Sequence, residues 1–230
     1  MSFVTNKKVV DNQKIAIISC VNDERMYKEA CFYIDHLEIP NGMQVEILSV
    51  YDAESITSGY QEAMLASNAR YKIYIHQDVF LVRKNILAEV VKLFQDDAKI
   101  GLIGLIGAKN LNGGRSCWWE DTEQCGALVG KEAPEKAVRR IGVVADDVCM
   151  DVEAIDGAFM ATQYDLPWRT DLFKGWHFYD TSQTFEFRNA GYRTVIPRQT
   201  EPWFVHFNGR KFPGKDYEEA MAIFARNYRW

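Results

Sequence analysis

The sequence predicts an α/β protein whose largely parallel sheet is covered by helices on both faces. Through the first half of the chain, short apolar and β-branched segments alternate with helical segments of about 10 to 15 residues, an order typical of parallel sheets. Hydrophobic residues make up 47% of the 230 positions, enough for a chain of this length to bury a core of its own. No internal repeat or low-complexity segment divides the chain, so we expect a single domain over residues 1–230.

Strands and helices alternate from the start of the predicted fold. Residues 14–20 are apolar and β-branched and form the first strand. Asp23 and Glu24 then open a helix, which the Pro-Asn-Gly turn at 40–42 ends. In the rest of this half, the same patterns predict strands at 44–50, 71–75 and 100–106, a helix at 59–69 capped by Ser58, and a helix at 85–94.

The second half of the chain has a less regular pattern. Residues 152–162 are extended but interrupted by Asp156-Gly157, and residues 181–189 form a helix. Because no linker separates the halves, we expect them to share one core. The remaining expected elements are strands at 125–129, 141–145, 193–196 and 203–207 and a last helix at 216–228.

Charge and cysteine content exclude several classes of protein. The formal net charge is −5 and no basic stripe is present, so nucleic acid and anionic membranes are poor partners. The longest apolar run, residues 100–108, is far shorter than the ~20 residues of a membrane-spanning helix, and no apolar signal segment opens the chain. The five cysteines form no CxxC pair, which favours a reducing, cytoplasmic location over a disulfide framework or a zinc ribbon.

Functional side chains are expected where the predicted parallel strands end, because ligands of such sheets bind at the carboxyl ends of the strands. Asp78 follows the third strand in a His-Gln-Asp stretch, where its carboxylate can bind a divalent cation that neutralises a diphosphate. The alternative is that Asp78 caps the turn into the next helix. Asp52 follows the second strand and can accept hydrogen bonds from a base or a ribose, or it is a solvated turn residue.

Two residues of the second half are further candidates. Asp180 precedes a helix and follows an aromatic-rich segment at 176–179. It is either the N-cap of that helix or an enclosed carboxylate whose raised pKa lets it act as a base. His206 alternates with apolar residues in a short strand, which is typical of a structural histidine. Together with Asp78 it would suit a hard or borderline cation.

Two other patterns do not indicate a site. Gly101, Gly104 and Gly107 recur every third residue but do not lie between a strand and a helix, so we interpret them as packing glycines and not as a dinucleotide loop. The cysteines lack the histidine partner that a nucleophile needs. The tryptophans that could stack on a sugar, although tryptophan more often packs a core, are Trp118, Trp119, Trp176 and Trp203.

The order of these motifs resembles that of the family 2 glycosyltransferases. An apolar strand ends in Ser-Cys-Val-Asn-Asp at 19–23, a second ends near Asp52, and a third runs into His-Gln-Asp at 76–78. Asp-Gly-Ala-Phe at 156–159 and the segment 175–192 look like the acceptor half of that family. The His-Gln-Asp stretch is most similar to that of the streptomycin biosynthesis StrF-like group.

The resemblance, which covers roughly residues 14–208, implies a GT-A fold, a Rossmann-like mixed β-sheet flanked by helices. Its nucleotide-sugar-binding half would be about 14–107 and its acceptor half about 108–230. The implied activity is that of an inverting glycosyltransferase, which moves a sugar from a nucleotide-diphosphate sugar to the hydroxyl of a glycan or small-molecule acceptor.

Residue by residue, the resemblance implies three roles. Asp180 matches the aspartate of the family's ED motif and would be the catalytic base. Asp78 matches the last aspartate of the DxD motif and would bind Mn²⁺ or Mg²⁺, with His206 as a second ligand. Asp52 would contact the base of the nucleotide. The residues that would together bind the donor are Asn22, Asp52, Gln77 and Asp78.

The chain departs from the family pattern at three positions. His76 stands where the DxD motif has its first acid, Tyr179 where the ED motif has Glu, and Ser182 where a further Asp is common. These departures leave open a catalytically degenerate GT-A-like protein that binds sugar nucleotides without transferring the sugar. A sugar-phosphate nucleotidyltransferase would carry a Gly-rich loop after the first strand, where this chain has Val-Asn-Asp-Glu. A purely structural α/β domain would bind neither nucleotide nor metal.

Overall fold

The computed structural model describes residues 8–111, 123–133, 136–209 and 214–228. Within them the strands are β1 (Asp11–Val21), β2 (Gln44–Tyr51), β3 (Ala69–Ile75), β4 (Val79–Leu81), β5 (Ile100–Gly104), β6 (Ile106–Ala108), β7 (Gln124–Ala133), β8 (Lys136–Ile141), β9 (Cys149–Asp151), β10 (Ala154–Ile155), β11 (Phe159–Thr162), β12 (Arg193–Pro197) and β13 (Phe204–Gly209). The helices are α1 (Glu24–Asp35), α2 (Ile56–Ala66), α3 (Ile86–Asp96), α4 (Tyr179–Asn189) and α5 (Lys215–Asn227). None of these helices has the length and apolar character needed to cross a membrane.

A seven-stranded mixed sheet, in the order β2-β1-β3-β11-β5-β12-β9, forms the centre of the fold. β1 runs parallel to both β2 and β3, and β12 runs parallel to β5, whereas β11 lies antiparallel between β3 and β5. β9, which the sequence did not predict, is antiparallel to β12 at one edge. Both halves of the chain supply strands to this sheet, and the helices on its faces confirm the expected α/β fold class. The expectation of a largely parallel sheet is wrong, because β11 and β9 make three of the six neighbouring strand pairs antiparallel, and the sheet is mixed as the resemblance implies.

The two faces of the central sheet pack against different helices, because alternate residues of a strand point to opposite faces. In β1, Ile15 and Ile17 share a core with residues of α1 and α3, whereas Ala16 and Ile18 share one with residues of α2 and α4. All four side chains are fully buried. Burial on both faces explains why β1 is a continuous apolar run instead of an alternating one.

A second sheet, in the order β10-β6-β7-β13-β4 with β8 paired to β7, carries the late histidine to the site. β4 pairs antiparallel with β13, and Val79 lies opposite His206. The Phe207 N–H also donates to the carbonyl oxygen of Asp78 (2.9 Å). The sequence did not predict β4, because three residues are too few to show a period. Its pairing with β13 places His206 beside Asp78.

The helix expected at 59–69 with a Ser58 cap is α2, which begins three residues earlier, at Ile56. Its N-cap is Ser55, whose Oγ accepts a hydrogen bond from the Ser58 N–H (3.2 Å). In return, Ser58 Oγ accepts one from the Ser55 N–H (3.0 Å). The expected Ser58 cap is therefore wrong, because a reciprocal pair of serines satisfies two N–H groups where a single cap satisfies one.

The strand expected at 141–145 is also wrong. β8 ends at Ile141, and beyond it Val143 forms an isolated bridge with Cys125. On the facing strand, Gly126 has a φ of 86°, a conformation that bends β7 at this point. The bend ends the β7–β8 ladder, whose pairing reaches Ala127 opposite Ile141. In the same region, the strand expected at 100–106 is divided at Leu105 into β5 and β6, which belong to different sheets.

Candidate active site

The carboxyl ends of β1, β2 and β3 meet at one edge of the central sheet, because these three strands are parallel. Asn22, Asp52 and residues 76–78 directly follow the three strands. They therefore lie at the same edge, where the sequence places the donor site. We call this edge the donor edge.

β11 brings a segment from the second half of the chain to the donor edge. It runs antiparallel to β3 and pairs Phe159 with Ile75, so the residues that precede it lie beside the end of β3. The His76 N–H donates to the Ala158 carbonyl oxygen (3.3 Å), which joins the two segments directly. The Asp156-Gly157 turn therefore lies next to the His-Gln-Asp stretch.

The side chain of Gln77 holds the loop between β1 and α1. Its Oε1 accepts hydrogen bonds from the Asn22 N–H (2.9 Å) and the Asp23 N–H (2.8 Å), and its Nε2 donates to Asn22 Oδ1. Asp23 in turn caps α1 by accepting from the N–H groups of Arg25 and Met26. Gln77 thus contacts the loop that carries Asn22, so its own contribution to ligand binding would come through the position of that loop.

Asp52 is exposed and has a left-handed backbone, with a φ of 55°. This conformation is uncommon for residues other than glycine, although Asp tolerates it better than most. Backbone strain of this kind costs of order 1 kcal/mol and concentrates at functional sites. The carboxylate directly follows β2 at the donor edge and is open to solvent.

His76, Asp78 and His206 form a cluster of potential cation ligands, which we call the histidine–aspartate cluster. One ligand atom of each lies within 4.8 Å of the ligand atoms of the other two. His206 Nε2 is 3.5 Å from Asp78 Oδ1, and the centroids of the two imidazole rings are 5.4 Å apart. The chain continues from Asp78 into β4 and not into a helix, so the interpretation of Asp78 as a helix cap is wrong.

Burial and mutual charge set the ionisation of this cluster. Burial works to raise the pKa of Asp78, but hydrogen bonding to His206 and the positive charge of that ring hold the pKa below its ordinary value. Burial works to lower the pKa of His206, and the interaction with Asp78 raises it overall. Burial, reinforced by His206, lowers the pKa of His76. Near neutral pH the cluster therefore offers an ionised carboxylate and a neutral imidazole at His76, the forms that bind cations.

The donor set of the cluster is two imidazole nitrogens and one carboxylate oxygen. Imidazole suits borderline cations, whereas Mg²⁺ prefers oxygen ligands throughout. The three residues therefore fit a borderline divalent cation better than Mg²⁺. His76 is a candidate ligand that the sequence did not indicate, because at this position the DxD pattern has an acid.

Asp180 is the second residue of α4, and it is not the N-cap of that helix, a position that Phe178 occupies without a side-chain hydrogen bond. The carboxylate accepts from the Gly157 N–H at Oδ2 (3.0 Å) and from the Thr181 N–H at Oδ1 (2.8 Å). Burial, followed by the negative charge of Asp156, raises the pKa of Asp180 to about 7, and the two N–H donors offset part of this shift. A carboxyl group with such a pKa can take up a proton near neutral pH.

Tyr179 connects Asp180 to the histidine–aspartate cluster. Its hydroxyl is hydrogen-bonded to His76 Nε2, and its side chain is 3% exposed. Gly157 makes this approach possible, because a Cβ at that position would overlap the Tyr179 ring and hydroxyl. In the sequence, His76 and Tyr179 are separate departures from the family pattern. Both replace an acid, but Ser182 does so as well, so no signal in the sequence pairs His76 with Tyr179.

The start of α4 is held by packing against α5. Phe178 has a φ of 61°, an unfavourable conformation for an aromatic residue, and is 4% exposed. Its ring lies 5.1 Å from that of Tyr217 and 5.5 Å from that of Phe224, centroid to centroid, and both partners belong to α5. This aromatic cluster keeps the turn in place, and the turn directs Tyr179 and Asp180 inward.

The tryptophans proposed as sugar platforms differ in exposure. Trp176, in the turn before α4, is 45% exposed and available to a ligand. Trp203 is buried, with the Arg83 guanidinium 4.8 Å from its ring centroid, so it packs the core. Trp118 and Trp119 lie outside the described residues.

Residues 16–228 match the model of a family described as a glycosyltransferase-like family. Among curated proteins, none matches the chain.

Solved structures of glycosyltransferases have a similar fold. One is the mannosyltransferase PcManGT from Pyrobaculum calidifontis in complex with GDP-Man and Mn²⁺, with a TM-score of 0.55 and 13% identity over 91% of this chain and 61% of that one. Another is S. aureus TarS 1-349 in complex with UDP, with a TM-score of 0.53 and 8% identity over 92% of this chain and 64% of that one. The present chain therefore spans about three fifths of the length of these two solved chains. Since the family model matches nearly all of its residues, the chain belongs to this glycosyltransferase-like family.

Proposed function

We propose that the protein is an inverting glycosyltransferase, which moves a sugar from a nucleotide-diphosphate sugar to an acceptor hydroxyl. The observation that carries this proposal is the link, through Tyr179, between a candidate base and a candidate cation site. Asp180, with a pKa near 7, directly follows Tyr179, whose hydroxyl bonds to His76 of the histidine–aspartate cluster. A base and a site for a charged leaving group in this proximity suit sugar transfer from a diphosphate.

The donor edge would bind the nucleotide. Asn22 and Asp52 are exposed there, and Gln77 fixes the loop that carries Asn22. Asp52 would accept hydrogen bonds from the base of the nucleotide. The names of similar structures support this class of donor, since PcManGT was solved with GDP-Man and TarS with UDP-GlcNAc.

His76, Asp78 and His206 would hold the divalent cation of this reaction. When bound, such a cation neutralises negative charge on the departing diphosphate. Asp78 has to be ionised for this purpose, and its interaction with His206 favours the ionised form.

Asp180 would act as the general base. Its carboxylate takes the proton of the acceptor hydroxyl, and the hydroxyl oxygen forms a bond to the anomeric carbon. The bond between that carbon and the diphosphate oxygen breaks, and the nucleoside diphosphate leaves with the electron pair. Attack opposite to the leaving group inverts the anomeric centre. The Gly157 and Thr181 N–H groups orient the carboxylate for this transfer.

The acceptor would enter beside the turn before α4, where Trp176 is exposed and can stack on a sugar ring. The acceptor class is a glycan or a hydroxyl-bearing small molecule. The His-Gln-Asp stretch supports a position within the streptomycin biosynthesis StrF-like group. Treatment of residues 1–230 as one GT-A domain, with halves at about 14–107 and 108–230, stays a prediction.

The second candidate function is a sugar-nucleotide binding protein without transferase activity. The His76–Tyr179 hydrogen bond favours it, because two of the three positions where this chain lacks an acid of the family pattern form a neutral pair here. Such a protein would bind the donor at the same edge without breaking the bond to the diphosphate. Release of nucleoside diphosphate distinguishes the two functions.

The first experiment is a thermal-shift panel of UDP, GDP, dTDP and CDP sugars, each with and without Mn²⁺. A donor at 100 times its Kd should add about 2.7 kcal/mol to the free energy of unfolding, a rise of several degrees in Tm. Asp78→Ala should abolish the metal-dependent part of the shift. Asp35→Ala, which removes an exposed carboxylate from α1, is the matched control and should leave the shift unchanged.

The second experiment measures turnover of the donor that binds. Nucleoside diphosphate release with water or a sugar panel as acceptor, and the anomeric configuration of the product by NMR, test transfer and inversion. Binding without release under all conditions would favour the second candidate function. A well-folded protein that responds to no nucleotide would contradict both.

A further inference from the structure

The hydrogen bond between Tyr179 and His76 joins two positions where this chain departs from the pattern of its family. The Tyr179 hydroxyl contacts His76 Nε2, although 103 positions separate the residues in sequence. The contact is shielded, since Tyr179 is almost fully buried and its ring packs near those of Tyr60 (6.0 Å) and Trp168 (6.3 Å). The geometry of this pair determines which nitrogen of His76 is available to a ligand.

A neutral imidazole carries its proton on one nitrogen and a lone pair on the other. If His76 Nε2–H donates to the Tyr179 oxygen, Nδ1 holds the lone pair and can bind a cation. If the Tyr179 hydroxyl donates to Nε2 instead, Nδ1 carries the proton and cannot ligate. The direction of the hydrogen bond with Tyr179 therefore determines whether Nδ1 of His76 can bind a cation.

The surroundings of the pair favour the first arrangement. One ring nitrogen of His76 shares the histidine–aspartate cluster with Asp78 and His206. Since Nε2 is hydrogen-bonded to Tyr179, Nδ1 is the nitrogen that is left to bind a cation. Histidines that bind metals usually donate the other ring N–H to an acceptor, which fixes the tautomer and the ring orientation. The Tyr179 oxygen occupies the place of that acceptor.

We propose that Tyr179 is a positioning residue of the cation site: its oxygen accepts from His76 Nε2–H and leaves Nδ1 as the nitrogen that binds a borderline divalent cation. The proposal deepens the proposed function and rests on it through the cation. It also gives two of the three departures from the family pattern a joint role, because a Tyr–His pair supplies one ligand where the family has an acid. Since Tyr179 directly precedes Asp180 in α4, the contact of Tyr179 with His76 also connects the proposed base with the cation site.

The direct test is the tautomer of His76 in the wild-type protein. ¹⁵N-histidine NMR at pH 8 resolves the ring nitrogens of the four histidines, and His76→Asn identifies the signals of His76. We expect Nε2–H in the wild type and appearance of the Nδ1–H form in Tyr179→Phe, which keeps the ring but removes the hydroxyl. Tyr60→Phe is the matched control, since it removes a buried hydroxyl that bonds to the Ile75 carbonyl (3.3 Å).

The second readout is the affinity for Mn²⁺ alone, measured by calorimetry. Loss of an outer partner of a ligand costs about 10- to 100-fold in metal affinity, so we expect that loss in Tyr179→Phe and about twofold or less in Tyr60→Phe. A wild-type His76 with its proton on Nδ1, or Mn²⁺ affinity unchanged in a folded Tyr179→Phe, overturns the proposal. The tautomer of the wild type decides the question even if the variant does not fold.

The outcomes also separate this proposal from the proposed function. A wild-type protein that transfers sugar while His76 carries its proton on Nδ1 would overturn the role of Tyr179 and leave the transferase standing. A protein with the Nε2–H form and tight Mn²⁺ binding, but no donor binding, would support the role of Tyr179 and remove the transferase. A wild type that binds no Mn²⁺ would overturn the role of Tyr179, and diphosphate release would then judge the transferase independently.

Discussion

The donor edge and the base end of the site, by which we mean Tyr179 and Asp180 at the start of α4, are built in different ways. At the donor edge, Asn22 and Asp52 are exposed residues that directly follow parallel strands. At the base end, Tyr179 is buried and Asp180 is held by the Gly157 N–H, 23 positions away in sequence. The difference shows that the candidate binding residues are placed by strand ends, whereas the candidate base is placed by contacts between distant segments. We therefore expect substitutions at the donor edge to change mainly donor binding, and substitutions at the base end to change mainly turnover.

The largest expected effect is on turnover, from Asp180→Asn. Loss of a general base costs about 10²- to 10⁴-fold, and kcat should fall by that factor. The thermal shift induced by the donor should persist, because Asp180 lies at the base end. Asp35→Asn, an exposed carboxylate on α1, is the control and should retain full kcat. Transfer by Asp180→Asn within a few-fold of the wild type would mean that another group takes the proton.

Gly157→Ala should displace Tyr179 and Asp180 together. The added Cβ overlaps Tyr179 and forces the hydroxyl away from His76, while the N–H that holds Asp180 shifts with it. Overpacking of this kind costs about 1–3 kcal/mol of stability, and both Mn²⁺ affinity and kcat should fall. Gly175→Ala is the matched control, because a Cβ there meets no atom within 4 Å. Urea unfolding and calorimetry measure the two effects, and an unperturbed Gly157→Ala would show that the turn is loosely packed.

The pH dependence should report the charge around Asp180. A base has to be ionised, so kcat/KM should fall about tenfold per pH unit below the pKa of about 7. Asp156→Asn removes a negative charge that raises this pKa, so the acidic limb of the profile should move to lower pH. Glu186→Gln, which changes a carboxylate elsewhere on α4, should leave the limb in place. A limb that does not move in Asp156→Asn would mean that burial alone raises the pKa.

The smallest expected effect is at the donor edge, from Asp52→Gly. Glycine adopts a φ of 55° without strain, so the free energy of unfolding should stay within about 0.5 kcal/mol of the wild type. Loss of hydrogen bonds to the base should weaken donor binding by about tenfold, with KM raised and kcat unchanged. Asp52→Asn keeps a tolerant residue and one acceptor oxygen, so its KM should lie between the two. A lowered kcat in Asp52→Gly would connect the donor edge to the chemistry.

Local patterns were enough to predict most strands of the central sheet and the helices that cover its faces. The apolar run of β1 follows from burial on both faces, and α1 follows from its Asp23 cap. The cap of α2 was misassigned, because Ser55 and Ser58 satisfy each other and either could have been chosen from sequence. β4 and β9, of three residues each, were missed because so short a segment has no detectable period.

The sequence by itself determined the fold class and showed that Asn22, Asp52 and Asp78 follow consecutive strands, since the positions and ends of strands follow from period and burial. The candidate residues Asp78, Asp180 and His206 came from motif order, and their roles stay predictions. Only the tertiary structure decided that His76 joins the cluster, that Tyr179 reaches it, and that Gly157 leaves the space for this contact. The physical reason is that such contacts join segments about 20 to 130 positions apart, and no local pattern of propensity or period records which distant side chains meet.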